Sequence, residues 1–160
     1  MAQTRWLTAL MSLFIGSMLM GAAQQPKGFE LLSVREYQNE QAARAAPGAQ
    51  LSLRAADFNA PTITVMKPDH SAAIQPPVDI DVRFAPAQGA TINISTLKIL
   101  YGFLKLDITQ RILQAPGVQV SSEGLKASGA QLPTGSHKLF IQVADNLGRT
   151  GRQPVEFTVQ

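Results

Sequence analysis

Val78-Asp79-Ile80-Asp81-Val82-Arg83-Phe84 places an apolar side chain at every second position and a charged one between them. A period of two sends alternate side chains to opposite faces of a β-strand, one face for a core and the other for water. Working outward, the same period recurs. Ile63 and Val65 alternate with Thr62 and Thr64, and Leu97, Ile99 and Tyr101 form a further set. Leu104, Leu106 and Ile108 alternate with Lys105 and Asp107, and Val118 with Val120 marks a short run. Leu139, Ile141 and Val143 alternate with Lys138, Phe140 and Gln142, and Val155, Phe157 and Val159 with Glu156, Thr158 and Gln160.

Turn-forming residues separate these runs: Pro68-Asp69, Pro76-Pro77, Gln88-Gly89, Ala115-Pro116-Gly117, Pro133-Thr134-Gly135 and Asp145-Asn146-Leu147-Gly148. About seven short strands at such spacing predict an antiparallel sandwich or barrel over 61–160. No helical period interrupts them, which argues against a parallel α/β sheet.

Upstream the character changes. Residues 1–23 read as an export signal: Arg5 is the basic n-region, Trp6 to Met20 the apolar stretch, and Gly21-Ala22-Ala23 the small residues before a cut. The apolar stretch is shorter than the roughly 20 residues of a spanning helix, so membrane attachment is expected only if cleavage fails. Residues 24–60 read as an extension or linker. Within it, Ser33 with Glu36 resembles a capping box ahead of a Glu-, Gln-, Ala- and Arg-rich run that Pro47-Gly48 ends. That run carries Tyr37 as its one large apolar side chain, which predicts one or two marginal helical turns.

Composition excludes several chemistries. The 160 residues contain no cysteine, so disulfides, thiolate metal sites and cysteine nucleophiles are ruled out. The net charge is +3, and losing Arg5 with the leader lowers it to +2. Basic residues are scattered, whereas nucleic-acid binding calls for a clustered patch.

Leu132-Pro133-Thr134-Gly135-Ser136-His137-Lys138-Leu139-Phe140-Ile141-Gln142-Val143-Ala144-Asp145-Asn146-Leu147-Gly148-Arg149 resembles a stretch of bacterial immunoglobulin-like domains. There it makes the turn into the penultimate strand and the hairpin to the last. The residues fit those duties here: Gly135 and Gly148 allow positive φ, Pro133 stiffens the lead-in, and Asp145 accepts from its own turn. Ala90 to Ile99 and Leu106 to Arg111 resemble exported bacterial proteins of unassigned activity. The resemblance implies an all-β, immunoglobulin-like sandwich serving as a structural or adhesive module of the envelope, periplasmic or secreted, with no catalytic residue and no cofactor. The chain lacks the paired cysteines of antibody-type domains, and its one tryptophan lies in the leader.

Candidate sites are few. His70 and His137 are the two histidines and carry no ligand spacing; both read as surface or strand-edge residues. Periplasmic copper carriers share a similar sandwich and use a histidine near the mature N-terminus, where this chain would have Gln24. Such a carrier is the alternative function, with an accessory subunit or glycan binder as another. Asp79 and Asp81 read as a solvated strand face rather than a calcium site. Ser136 and His137 point to opposite faces of a strand, so no hydrolase triad forms from them. Asn93-Ile94-Ser95 matches a glycosylation sequon and reads as incidental.

The strongest signal lies out of phase. Leu100 and Phe140 fall on the face opposite their strands' apolar sets, on strands that neighbour each other in this fold. With Phe103 they would form an apolar patch, a surface for another envelope protein. The competing reading is that the patch is covered by the chain's own N-terminal segment through Phe29, Leu31, Leu32, Val34 and Tyr37.

Overall fold

A computed structural model describes residues 28–47, 59–69 and 73–160. The leader, and His70, lie outside them. Eleven elements follow in order: β1 (Phe29–Glu30), α1 (Val34–Ala45), β2 (Thr62–Lys67), β3 (Val78–Ala85), β4 (Ile92–Tyr101), β5 (Leu106–Asp107), α2 (Thr109–Leu113), β6 (Gln119–Ser121), β7 (Gly124–Gln131), β8 (Gly135–Asp145) and β9 (Thr150–Val159). They build two sheets. One has the order β1-β7-β3-β2, with β6 also paired to β7; the other is β5-β4-β8-β9. The protein is an all-β sandwich.

Alternation explains the core. Val78, Ile80, Val82 and Phe84 from one sheet meet Leu97, Ile99, Tyr101, Leu139, Ile141, Val143, Val155, Phe157 and Val159 from the other, all within 6% exposure. Each fully buried side chain of this size contributes about 1.5–3 kcal/mol of transfer free energy.

Three elements depart from the alternation. First, no strand spans 104–108. Gly102 to Lys105 form a turn, Leu104 and Leu106 stand exposed, and α2 follows where no helix is expected from the sequence. The cause is local: the Asp107 carboxylate accepts from the Thr109 N–H at 3.0 Å, turning the chain. Ile108 and Ile112 are then four residues apart on one helical face, and both are buried. Second, β7 is a full strand of the first sheet although Gly124-Leu125-Lys126-Ala127-Ser128-Gly129-Ala130-Gln131 carries one large apolar residue. Third, α1 is a 12-residue helix rather than one or two turns. Its capping box is complete: the Glu36 N–H donates to Ser33 Oγ at 3.3 Å, and the Ser33 N–H donates to the Glu36 carboxylate at 2.9 Å.

The N-terminal residues are built into the sandwich. Phe29 and Glu30 pair in parallel with Ala130 and Gln131 of β7. Leu31 and Leu32 are buried at 0% and 2% exposure and belong to the same core cluster as the strands.

At the opposite edge, β9 is the last strand of its sheet, with Pro154 in its middle. Ile74 bridges Val159 at one end, and the Pro61 carbonyl lies where a Cβ on Gly151 would sit at the other.

Candidate functional site

Outward-facing residues of β4, β8 and β9 fall into rows across the strands. Leu100 pairs in register with Phe140, and Phe140 with Pro154, so an apolar stripe crosses three strands. Leu100 and Phe140 are half-buried. Lys98, Gln142 and Arg152 form the row on one side, and Lys138 with Glu156 the row on the other. Phe103 is also half-buried, but it sits in the turn after β4 and not on the paired stripe.

Two ammonium groups attend the Phe140 ring. Lys105 Nζ lies 2.8 Å from the ring centroid and Lys138 Nζ 5.5 Å from it. A cation over an aromatic face is attracted by the ring quadrupole, more strongly as water is excluded. Burial lowers the Lys105 pKa, and Lys138 adds to the effect, while Glu40 opposes both. Lys105 itself has φ 54°, a left-handed backbone that carries this side chain back over the sheet.

That turn is held from the N-terminal helix. Glu40, the one buried residue of α1, accepts from the Phe103 N–H and, at 3.0 Å, from the Leu104 N–H. Gly102 makes room, because a Cβ there would run into the Glu40 carboxylate. One turn earlier on the same helix, Tyr37 lies against Gly135, where again a Cβ would collide with its hydroxyl. Glu36 completes the seam. The Arg111 guanidinium donates to both Glu36 oxygens, at 2.7 and 3.0 Å, and to the Leu31 carbonyl at 2.8 Å. The guanidinium holds the Glu36 carboxyl down to about 2 against a smaller cost of burial.

His137 corrects its reading as a surface residue: it is 2% exposed. Strand alternation puts it on the inner face with Leu139, and the apolar ring edges around it complete the enclosure. Tyr37 and Phe157 flank the ring at centroid distances of 5.1 and 5.5 Å. Nε2 lies 2.8 Å from the Pro133 carbonyl and Nδ1 2.9 Å from the Tyr101 hydroxyl. A carbonyl only accepts, so Nε2 carries the proton and Nδ1 accepts from Tyr101. Burial lowers the His137 pKa, the Pro133 carbonyl opposing it. Burial likewise raises the Tyr101 pKa, with Tyr37 and Glu40 adding to it.

The hairpin turn between β8 and β9 is organised by Asp145, 2% exposed. It accepts from the Leu147 N–H at 3.0 Å, the Arg149 N–H at 2.9 Å and Arg149 Nε at 2.7 Å. Burial works against its charged form, but the Arg149 backbone, the guanidinium and the Leu147 N–H prevail and keep the carboxyl below its usual range. Gly148 takes φ 78° and Gly135 φ 132° in their turns. Pro133 precedes β8 and supplies the carbonyl that His137 uses.

The first sheet's outer face is polar. Asp79 pairs with Lys67 at 3.3 Å and Asp81 with Lys126 at 3.6 Å. A shallow groove of about 500 Å³ lies there, lined by Asp81, Arg83, Ser121, Glu123 and Lys126 among others. Among the described residues no group of three or more His, Asp or Glu gathers to hold a metal ion. No helix among them is long and apolar enough to cross a membrane.

Glu40, Gly102 and Lys105 escape a sequence reading built on apolar periodicity because none of them is an apolar strand residue, and Pro154 escapes it because proline carries no strand signal. Nothing in the letters marks Glu40 as the buried residue of its helix; only the fold does.

No model of a known protein family matches the chain, and no curated protein does. Among solved structures, the chain is similar to the crystal structure of CopC from Methylosinus trichosporium OB3b, at 18% identity and a TM-score of 0.37, over 62% of this chain and 94% of that one. The class that the topology itself defines is a two-sheet β-sandwich with a helical N-terminal brace.

Proposed function

We propose that this chain is a non-catalytic binding or structural module of the bacterial cell envelope, exported by the leader at 1–23, immunoglobulin-like in type, and acting through the outer face of the β4-β8-β9 strands. The observation that carries the reading is the Leu100–Phe140–Pro154 stripe, half-open on a sheet whose other face is fully committed to the core. Apolar side chains aligned across three strands outside the core are a feature of contact surfaces.

Support also comes from what the polar groups already do. His137 spends both ring nitrogens inside the fold, and Asp145 spends its carboxylate on its own turn. Tyr37 and Tyr101 are packed around His137, so neither offers an open ring to a sugar. The test is recovery of partners from envelope extract by the wild type and by Phe140→Asp, with circular dichroism showing that the variant keeps its fold. Loss of specific partners with the variant is expected. Equal recovery of the same partners by both overturns the reading. So does stoichiometric copper binding, measured by calorimetry on the full chain and lost on His70→Ala, since that is the behaviour of a metal carrier.

A further inference from the structure

The outer face of the β4-β8-β9 strands carries more positive charge than its own carboxylates engage. Lys98, Lys105, Lys138 and Arg152 surround the stripe, against Asp107, Glu156 and, beneath the turn, Glu40. Each carboxylate is already occupied: Asp107 accepts from Thr109 and faces Lys98, Glu156 pairs with Lys138, and Glu40 holds the turn. No salt bridge within the described residues engages Lys98, Lys105 or Arg152. Lys105 has settled instead on the face of Phe140, a weaker partner for an ammonium than a carboxylate. It therefore covers the ring at the centre of the stripe.

We infer that this face docks an acidic protein segment in which carboxylates flank an apolar side chain, and that Lys105 is the gate. On docking, the Lys105 ammonium leaves the ring for a carboxylate of the segment. The uncovered Phe140 ring, with Leu100 and Pro154, then takes the apolar side chain. Only the Lys105 side chain has to move, because Glu40 fixes the turn beneath it. A lipid surface fits less well. The stripe is a single row of side chains with a lysine over its central ring, which offers little open apolar area to acyl tails, whereas one side chain of a protein segment matches it.

This inference rests on the proposed binding role of the same face, and the test separates the two. The full mature chain is titrated with three probes: a peptide of alternating leucine and glutamate, a peptide of glutamate alone, and vesicles of phosphatidylethanolamine with phosphatidylglycerol. Calorimetry and sedimentation report binding, and proton–carbon spectra report the Lys105 ε-methylene, whose resonance is shifted upfield by the ring below it. The leucine–glutamate peptide is expected to bind about tenfold more tightly than glutamate alone, one apolar contact being worth about 1.4 kcal/mol. The Lys105 resonance should return to its ordinary position on binding. Phe140→Ser should abolish the preference for the leucine-bearing peptide, and Lys98→Glu should weaken both peptides without touching the gate. Equal binding of the two peptides, binding of vesicles in place of peptides, no binding, or an unmoved Lys105 resonance each overturns the inference. If Phe140→Asp still loses envelope partners in any of those cases, the binding role stands and only the acidic partner falls.

Discussion

β8 and α1 pack against the same molecule by opposite means. In β8, His137, Leu139, Ile141 and Val143 are all buried, so every second residue contributes to the core. In α1, a helix of similar length, one residue is buried, and it is a glutamate. The strand is held by apolar area spread along its length and the helix by a few contacts at fixed points, polar at Glu36 and Glu40 and aromatic at Tyr37. Burial by periodicity tolerates small changes, whereas attachment by single hydrogen-bonded groups fails where one group is removed. The helix also depends on the two leucines just ahead of it, which do belong to the core.

The largest effect expected from perturbing this contrast is at that junction. Leu31→Ala should cost about 2–5 kcal/mol in urea unfolding, the range for a fully buried leucine, whereas Val34→Ala, three residues on and 61% exposed, should change stability by no more than about 0.5 kcal/mol. If both changes are mild, the N-terminal segment is an appendage and the contrast with β8 dissolves. Next comes the polar anchor. Glu40→Ala leaves the Phe103 and Leu104 N–H groups without their acceptor and should cost about 1–3 kcal/mol. Hydrogen exchange in α1 and in the turn at 102–105 should speed up together, while β8 amides keep most of their protection.

A smaller effect tests β8 through the buried His137. The folded-state pKa of His137 lies below the ordinary value near 6.5, so the unfolded chain binds the proton more readily. Stability should therefore be full above pH 6.5 and fall as the pH drops below it, by at most about 1.4 kcal/mol per pH unit until the folded-state pKa is reached. His137→Gln should lower stability at pH 7 and flatten that slope; thermal melts between pH 5 and 8 read both. The smallest effect belongs to the Glu36–Arg111 pair, whose side chains are 27% and 37% exposed. Solvent screening keeps the pair's contribution to about 1 kcal/mol or less. Its contribution is present above about pH 4.5 and is lost as the pH falls toward 2, with Arg111→Met removing that acid limb.

The strands with large residues at alternate positions were legible because period two has one physical meaning on a pleated sheet. The pairing of Leu100 with Phe140 followed from the same logic, since out-of-phase residues on neighbouring strands share a face. β7 was hidden because Leu125, Ala127, Gly129 and Ala130 fill their places between other elements with little volume, and small residues carry no alternation signal. The segment after β4 misled for the converse reason: Leu104, Leu106 and Ile108 alternate in sequence, but a left-handed Lys105 and the Asp107 turn break the strand geometry. Around the candidate site, Leu100 and Phe140 were visible in the letters while Pro154 and the lysine cover were not. Lys105 reaches Phe140 through a turn that Glu40 organises from 63 and 64 residues away in sequence. Contacts of that range are set by topology rather than by local pattern.

Pro154 has a consequence for how this protein behaves when crowded. A terminal strand normally offers a row of free amides and carbonyls to any passing chain, the first step toward fibres. On β9 that row is interrupted at its middle by a residue with no amide hydrogen, and its ends are occupied by the segments around Pro61 and Ile74. Growth of the sheet by edge-to-edge stacking is thereby disfavoured on that side.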